Sequence, residues 1–467
     1  MSEYFLAVDI GASSGRHMIG YLEDGKIKLE EVYRFENGMS MRNDKLCWDL
    51  DHLFNEIVNG LSHCVKIGKK PSYMGIDTWA VDFVLLNEFD KIIGDSVGYR
   101  DSRTDGIEER VYERISEETL YAKTGIQKLN FNTIFQLMAV KSKNPEQLEM
   151  AKSFMMIPDY FNFLLTGVKK TEYTNATSTG MINANDKTWD KEIITALGIN
   201  DELFGELSAP GTVVGNLRAE LVDKIGFDVE ILLPATHDTA SAVVAVPSNE
   251  DNVLYLSSGT WSLMGVERLD TDTSLKSREY NFSHEGGYLY RYRYLKNIMG
   301  LWMIQELKRE LDNVYSFAEL CQMAANESIT TTLDCQDMRF LSPVSMIDAI
   351  QDFCREKDLQ VPVTPGELAS VVYRSLAKCY KETVNEIEEM MNITYSKIHI
   401  IGGGSNAYYL NQLTADYTGK EVFSGPSEAT AIGNIVVQMI TKKTINDLKE
   451  ARHMIFNSFE INSFKGA

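Results

Sequence analysis

Proline fills only 10 of 467 positions and no low-complexity run is present, so the chain is neither a fibrous nor a disordered polymer. Cysteine is scarce as well. The six (Cys47, Cys64, Cys321, Cys335, Cys354 and Cys379) are scattered without a CxxC pair, so the spacing suggests neither a zinc cage nor a disulfide framework and fits a reducing compartment. Positive charge is in deficit: 46 Lys and Arg stand against 67 Asp and Glu, a formal net charge of −21. That field repels polyanions and argues against a broad nucleic-acid surface. A single phosphate group is not excluded, because backbone N–H groups at a glycine turn attract one whatever the net charge.

Long apolar runs are missing too. No stretch reaches the roughly 18 residues that a membrane span requires. The N-terminal MSEYFLAVDIG lacks a basic flank and is interrupted by Asp9, so it does not read as a secretory signal. The expectation is a cytoplasmic protein with no membrane partner. What the chain does have is 44% hydrophobic residues over a length that supports two or three domains with real cores.

The opening segment reads as a short apolar strand, YFLAVDIG, a small-residue turn, ASSG, and two strands joined at Asp24-Gly25. From Asp49, a natural N-cap, Leu50, Leu53, Phe54, Ile57, Val58, Leu61 and Val65 recur at helical spacing. Residues 252–269 repeat the opening pattern of strand, small-residue turn with Gly259 and Thr260, and strand. Two similarly built lobes follow, divided near Val246-Pro247 into 1–246 and 247–467. Later, Thr364-Pro365-Gly366-Glu367 supplies an N-cap, a first-turn proline and a capping-box Glu for a long amphipathic helix. That helix leads to KIHIIGGGSNAYYL, a strand, a glycine turn and a helix.

Two motifs are decoys. Gly11 to Gly15 matches the GxSxG elbow of hydrolases, but an elbow must feed a helix and RHMIGYLEDGKIKL reads as a strand. Gly402 to Ala407 fits a dinucleotide pattern, yet it sits late in the chain without the sheet of an N-terminal Rossmann domain.

Asp9 is more informative, because a carboxylate in an apolar strand needs a cation or hydrogen-bond donors. The Gly11–Gly15 turn offers backbone N–H groups, the hydroxyls of Ser13 and Ser14 and the guanidinium of Arg16, a set that suits a terminal phosphate and its Mg²⁺. Asp238 falls at a strand-to-helix junction, where it serves equally as an N-cap or as a cleft-facing base. A helix N-terminus favours its charged form, so it is expected to be ionised at neutral pH. Trp79 and Asp82 are candidate ligand contacts, the indole able to cover a C–H face and the carboxylate to accept from hydroxyls. On a regular strand the two would face opposite ways, so a strand end or bulge is required between them.

Together AVDIGASSGR, GIDTWAVDFVLL, YRDSRT, MIPDYFNFLLTG, PATHDTASAV, YLSSGTWSLMG, LKNIMGLWMIQ and IIGGGSNAYYLNQLTAD resemble the FGGY carbohydrate kinase family over nearly the whole chain. The resemblance implies a two-lobed α/β fold of the actin-like ATPase (ribonuclease H-like) kind, with sugar and ATP meeting in the interlobe cleft. It implies that Ala12, Ser13, Ser14, Gly15, Arg16 and Thr260 bind ATP phosphates, with Gln305 and Gly403 completing the nucleotide site. Asp9 would organise Mg²⁺, Asp238 would be the catalytic base, and Ala80, His237, Asp238, Thr239 and Asn297 would hold the sugar. In TWAVDFVLL, HDTASAV and LKNIMGLW the resemblance is to the L-rhamnulose branch of the family, which implies phosphorylation of that sugar on its first-carbon hydroxyl. Alanine at position 80, where the family pattern has glycine, keeps L-fuculose and xylulose as alternatives. A non-catalytic sugar or nucleotide sensor on the same fold is the rival from another class.

Overall fold

The computed structural model describes residues 3–250 and 253–466. Asn252, the first residue of the predicted 252–269 segment, and the terminal positions 1 and 467 of the two predicted lobes lie outside the described residues. Two compact units are present. One comprises Met1–Ala245, Glu267–Tyr294 and Thr430–Met454; the other comprises Val246–Val266, Leu295–Ala429 and Ile455–Ala467. Among the described residues no helix is long and apolar enough to cross a membrane.

The first unit is built on strands β1 (Phe5–Ile10), β2 (Ser14–Glu23), β3 (Lys26–Glu36), β4 (Tyr73–Thr78), β5 (Val213–Asn216) and β6 (Glu230–Leu232), ordered β5-β6-β4-β1-β2-β3. β1 pairs antiparallel with β2 and parallel with β4. The β2–β3 hairpin turns at Asp24 and Gly25, both at positive φ, the geometry that suits the right-handed twist of the flanking strands. All six residues of β1 are buried, because the sheet is covered on both faces. Leu6, Val8 and Ile10 share a core with Leu53, Ile57 and Leu61 of helix α1 (Leu50–Lys66), which Asp49 caps by accepting from the N–H of His52 at 2.9 Å.

The opposite face carries Phe5, Ala7 and Asp9, by the two-residue alternation of a strand. It meets the helix Ala429–Thr441, whose Gln438 donates through Nε2 to the carbonyl of Leu6 at 2.9 Å. Gly433 of that helix lies against the backbone of Ser241 in helix α2 (Asp238–Val244), and a Cβ there would strike the Ser241 carbonyl. Arg452 closes the far end of α2, donating to the carbonyls of Val243 at 3.0 Å and Val244 at 3.3 Å. Cations at a helix C-terminus are stabilising, and here the guanidinium also holds the helix in place.

Strands β7 (Val253–Ser258), β8 (Trp261–Arg268), β9 (Tyr292–Met299), β10 (Lys397–Ile401), β11 (Glu421–Ser424) and β12 (Asn462–Phe464) run in the order β9-β8-β7-β10-β11-β12, and the strand Ser283–Gly286 beside β9, Glu267–Arg268 of β8 and Tyr292–Tyr294 of β9 are counted in the first unit, the rest in the second. β7 pairs antiparallel with β8 and parallel with β10, the same local plan as β1 with β2 and β4. Helix α3 (Trp302–Glu310) follows β9, and the long helix α4 (Pro365–Met391) carries the expected capping box between Thr364 and Glu367. All six cysteines are buried and unpaired.

Candidate active site

In the first unit the site grows from strand register. Asp9 on β1 is the Cα partner of both Arg16 on β2 and Asp77 on β4. Arg16 binds Oδ2 of Asp9 through Nε at 3.0 Å and Nη2 at 2.8 Å, so the buried carboxylate has the cation it requires. Asp77 is wholly buried. One of its oxygens accepts from Nδ2 of Asn434 and the other has no hydrogen-bond partner. Burial, with the charges of Asp9 and Asp238 added, raises its carboxyl well above the usual range.

The chain after β6 runs beside β4. Thr78 forms a parallel bridge with His237, and the N–H of Thr78 donates to Thr236 at 2.9 Å. Glu172 anchors this segment from below, accepting from Thr236 Oγ1 at 2.7 Å and from the N–H groups of Thr174 and Asn175. His237 is the last residue before α2, and Asp238 is its first, with Oδ1 accepting from Oγ1 of Thr239 at 3.0 Å. The Asp238 side chain keeps 30% of its exposure, so it opens to a ligand. Its carboxyl is pushed up to about 7, chiefly by burial and next by Asp9. The helix N-terminus therefore does not hold Asp238 fully ionised at neutral pH, contrary to the expectation from sequence. A dipole acting at a helix end is outweighed by a like charge in a desolvated site.

The turn at residues 11–14 closes with the Gly11 N–H donating to Ser14 at 2.9 Å and is braced by Asn37, whose Nδ2 donates to Gly11 at 2.8 Å. Ala12 and Ser14 are half-buried, Ser13 is exposed, and Gly15 packs under the Phe35 ring, where a Cβ has no room. The turn feeds strand β2 rather than a helix, so Ser13 is not on a nucleophile elbow.

Trp79 and Asp82 do come together, and the device is a strained turn. β4 ends at Thr78, and the N–H of Asp82 then closes on the carbonyl of Ala80 at 2.9 Å across Val81, whose φ is 65°. A β-branched residue rarely adopts that backbone. It is held by Ser178, which accepts from Val81 N–H, and by Thr133, which donates to Val81 O at 2.6 Å. Asp82 is 1% exposed, and its oxygens accept from Trp48 Nε1 at 2.7 Å, Trp79 Nε1 at 2.9 Å, Tyr99 N at 3.1 Å and Gln136 Nε2 at 3.0 Å. Asp82 is thus the hub beneath the turn: Oδ2 accepts from three donors and Oδ1 from Gln136, so the buried carboxylate faces protein donors. Trp79 packs against Trp48 with ring centroids 4.1 Å apart and the planes tilted by 35°, and it is 5% exposed, which leaves half-buried Ala80 as the surface of the turn.

In the second unit the turn between β7 and β8 closes through the Gly259 N–H to Trp261 at 2.9 Å. It is clasped to the start of α3: the N–H groups of Leu301 and Trp302 donate to Gly259 and Thr260, and Gln305 lies 3.4 Å from Thr260 Oγ1. Gly404 sits against Ser258 so closely that a Cβ would collide with its hydroxyl, while a Cβ on Gly403 would meet nothing within 4 Å. Thr260, Gln305 and Gly403 are therefore gathered at one end of the sheet. Asn297 lies half-buried on β9 of this unit.

Sequence reasoning overlooked Asp77, Glu172, Glu285, Arg293 and Asn434. Asp77 carries the signal that singled out Asp9, a carboxylate in a buried apolar strand. The others come from distant segments and leave no local mark. Among the described residues no three His, Cys, Asp or Glu side chains form a preformed cage. Mg²⁺ does not need one, since it is commonly held by one or two carboxylates together with substrate phosphates.

Residues 4–245 match the N-terminal domain, and residues 254–441 the C-terminal domain, of the FGGY family of carbohydrate kinases. The chain is 52% identical over 464 residues to a rhamnulokinase of Halalkalibacterium halodurans, covering 99% of each. It is 51% identical to a rhamnulokinase of Oceanobacillus iheyensis, over 99% of this chain and 98% of the relative. Its fold matches the crystal structure of gluconate kinase from Lactobacillus acidophilus at a TM-score of 0.82 and 16% identity, covering 100% of this chain and 94% of that one. The two units are those of the actin-like ATPase fold, and the chain belongs to the FGGY family of carbohydrate kinases.

Proposed function

We propose that this protein transfers the γ-phosphoryl group of ATP to the first-carbon hydroxyl of L-rhamnulose, yielding L-rhamnulose 1-phosphate and ADP in L-rhamnose breakdown. The observation that carries the reading is full-length identity above 50% to relatives named for that activity, joined to an Asp238 whose carboxyl is tuned to about 7 at an open position. Asp238 accepts the hydroxyl proton as the O–P bond forms and the bond to ADP breaks. A base of that strength suffices, because a loose phosphoryl-transfer transition state needs little nucleophile activation.

The residues present fit a magnesium ion. Asp9 and Asp77 stand side by side, and Asp77, with one buried oxygen unpartnered and its carboxyl pushed up by burial and by Asp9, is a group that a cation between the two would hold in its charged form. These two carboxylates would hold the ion, which supplies charge neutralisation to the phosphates when bound. Ala12 to Arg16 offer backbone N–H groups and a cation to phosphate, and Thr260, Gln305 and Gly403 serve the nucleotide. His237, Thr239, Ala80 and Asn297 bind the sugar, with Trp79 and Asp82 supporting Ala80 from behind. Six buried free thiols suit a cytoplasmic setting.

The test is a panel of ketoses and polyols with ATP and Mg²⁺, read by ADP release. The expected result is the highest kcat/KM for L-rhamnulose. A preference for L-fuculose or xylulose would reassign the sugar, and ligand binding without sugar-stimulated ADP formation would make the protein a sensor.

A further inference from the structure

The buried cluster behind Asp238 has a polarity that fixes the place of one proton. Arg293, near the start of β9, has a side chain only 1% exposed. Its Nε donates to the carbonyl of Gly286 at 3.0 Å, and its Nη2 lies 3.0 Å from Oε2 of Glu285 and 3.0 Å from Nδ1 of His237. A guanidinium has donors and no acceptor, so Nδ1 of His237 must present its lone pair to it. A proton on Nδ1 would instead face a guanidinium proton across that 3.0 Å gap. The competing acceptor, Oε2 of Glu285, accepts no hydrogen bond: it is 3.5 Å from Nδ1, at the outer limit of that interaction, and is held instead as an ion pair 3.0 Å from the nearer Arg293 guanidinium. Burial, reinforced by the Arg293 charge, lowers the His237 pKa well below its ordinary value, so the ring is neutral and carries one proton. That proton belongs on Nε2, which lies 3.5 Å from Oδ1 of Asp238.

We propose that Arg293 is a positioning residue that locks His237 in the Nε2–H tautomer and so makes His237 a hydrogen-bond donor toward Asp238 and toward the sugar oxygen beside it. The inference rests on the reading of Asp238 as the base. It sharpens the division of labour, because a ring whose Nδ1 is engaged by Arg293 and whose Nε2 is protonated takes no proton from the substrate. It also bears on selection. A sugar oxygen that meets His237 must accept, and a ketone oxygen does only that, whereas a hydroxyl must first turn its own proton away.

The test is long-range proton–nitrogen correlation spectroscopy on the full-length protein labelled with ¹⁵N in its histidine rings, free of sugar and nucleotide, with His237 assigned by comparison with His237→Gln. The expected pattern is a pyrrole-type Nε2 and a pyridine-type Nδ1, unchanged between about pH 6 and 8. An Nδ1–H tautomer or a doubly protonated ring would overturn the proposal. The paired variant Arg293→Met with Glu285→Gln removes the donor without stranding a buried carboxylate. It is expected to mix the two tautomers and raise the sugar KM about tenfold with a smaller change in kcat, while Arg293→Lys restores most of the KM. A sugar KM within about twofold of the parent in the paired variant would equally overturn it. The spectrum of the unaltered protein decides the tautomer even if a variant fails to fold. Because that spectrum needs no substrate, an Nε2–H ring in a protein inactive on L-rhamnulose would refute the reaction and leave the tautomer standing.

Discussion

Gly433 and Ser241 touch backbone to backbone, and through that contact the helix Ala429–Thr441 sets the height of α2 and hence of Asp238. Gly433→Ala inserts a methyl group into a space occupied by the Ser241 carbonyl, so one helix must move. Overpacking of this kind costs about 1–3 kcal/mol. The expected outcome is a lowered urea midpoint together with a loss of kcat larger than any change in nucleotide KM. An unchanged kcat in a destabilised variant would show that α2 does not need this contact to place its first residue.

Asp238→Asn separates chemistry from binding. Turnover should fall by about 10²–10⁴, the usual contribution of a general base, while calorimetry still detects sugar. In the parent, kcat/KM should decline as pH falls through about 7, since the raised carboxyl must be deprotonated to act. The stability sign is opposite. A folded pKa above the unfolded value means that the native state binds the extra proton, so the carboxylate is a burden above pH 7 and is relieved on acidification. The Asn variant should accordingly melt higher than the parent at about pH 8.

Asp82→Asn tests the hub beneath Ala80. The amide group would turn an N–H donor toward at least one of the four N–H donors that Asp82 now satisfies. A buried donor left unsatisfied costs about 1–3 kcal/mol. Loss of stability on chemical denaturation should be accompanied by a rise in sugar KM with ATP KM unchanged. Equal changes in both would place the turn outside sugar binding.

Gly403→Ala probes the nucleotide side. Its Cβ would meet no protein atom within 4 Å, so folding should be unaffected, and the methyl would project into open space at the proposed nucleotide site. The KM for ATP should rise several-fold while that for sugar stays constant in steady-state assays. No change in ATP KM would remove Gly403 from the nucleotide site.

His17 imposes a pH dependence on stability far from the chemistry. Its ring is fully buried against α1, Nε2 donates to Ile57 O at 3.1 Å, and Nδ1 has no partner, so burial lowers its pKa to about 4. Between about pH 6.5 and 4 the unfolded chain takes up a proton that the native state refuses, and stability falls as pH falls, by about 3 kcal/mol in all. Denaturation at about pH 7 and 4.5 should show the gap between parent and His17→Gln narrowing on acidification. A constant gap would mean that His17 titrates normally in the folded protein.

What the sequence by itself determined was local and periodic: the apolar run of β1, the Asp24-Gly25 hairpin, the capped helices at Leu50 and Pro365, and the small-residue turns at 11–15 and 259–260. Each of these follows from backbone preference and side-chain spacing within a dozen residues, and Asp9 stood out because a charge in such a run demands a partner. Tertiary structure alone decided which partners answered. It brought Arg293 to His237, Asn434 to Asp77 and Gly433 to Ser241, and it turned Asp82 from a surface acceptor into a buried hub. Those pairings depend on how remote segments are packed around one sheet, and the energies that fix them, desolvation and the summed field of neighbouring charges, exist only once the chain has closed around the groups concerned.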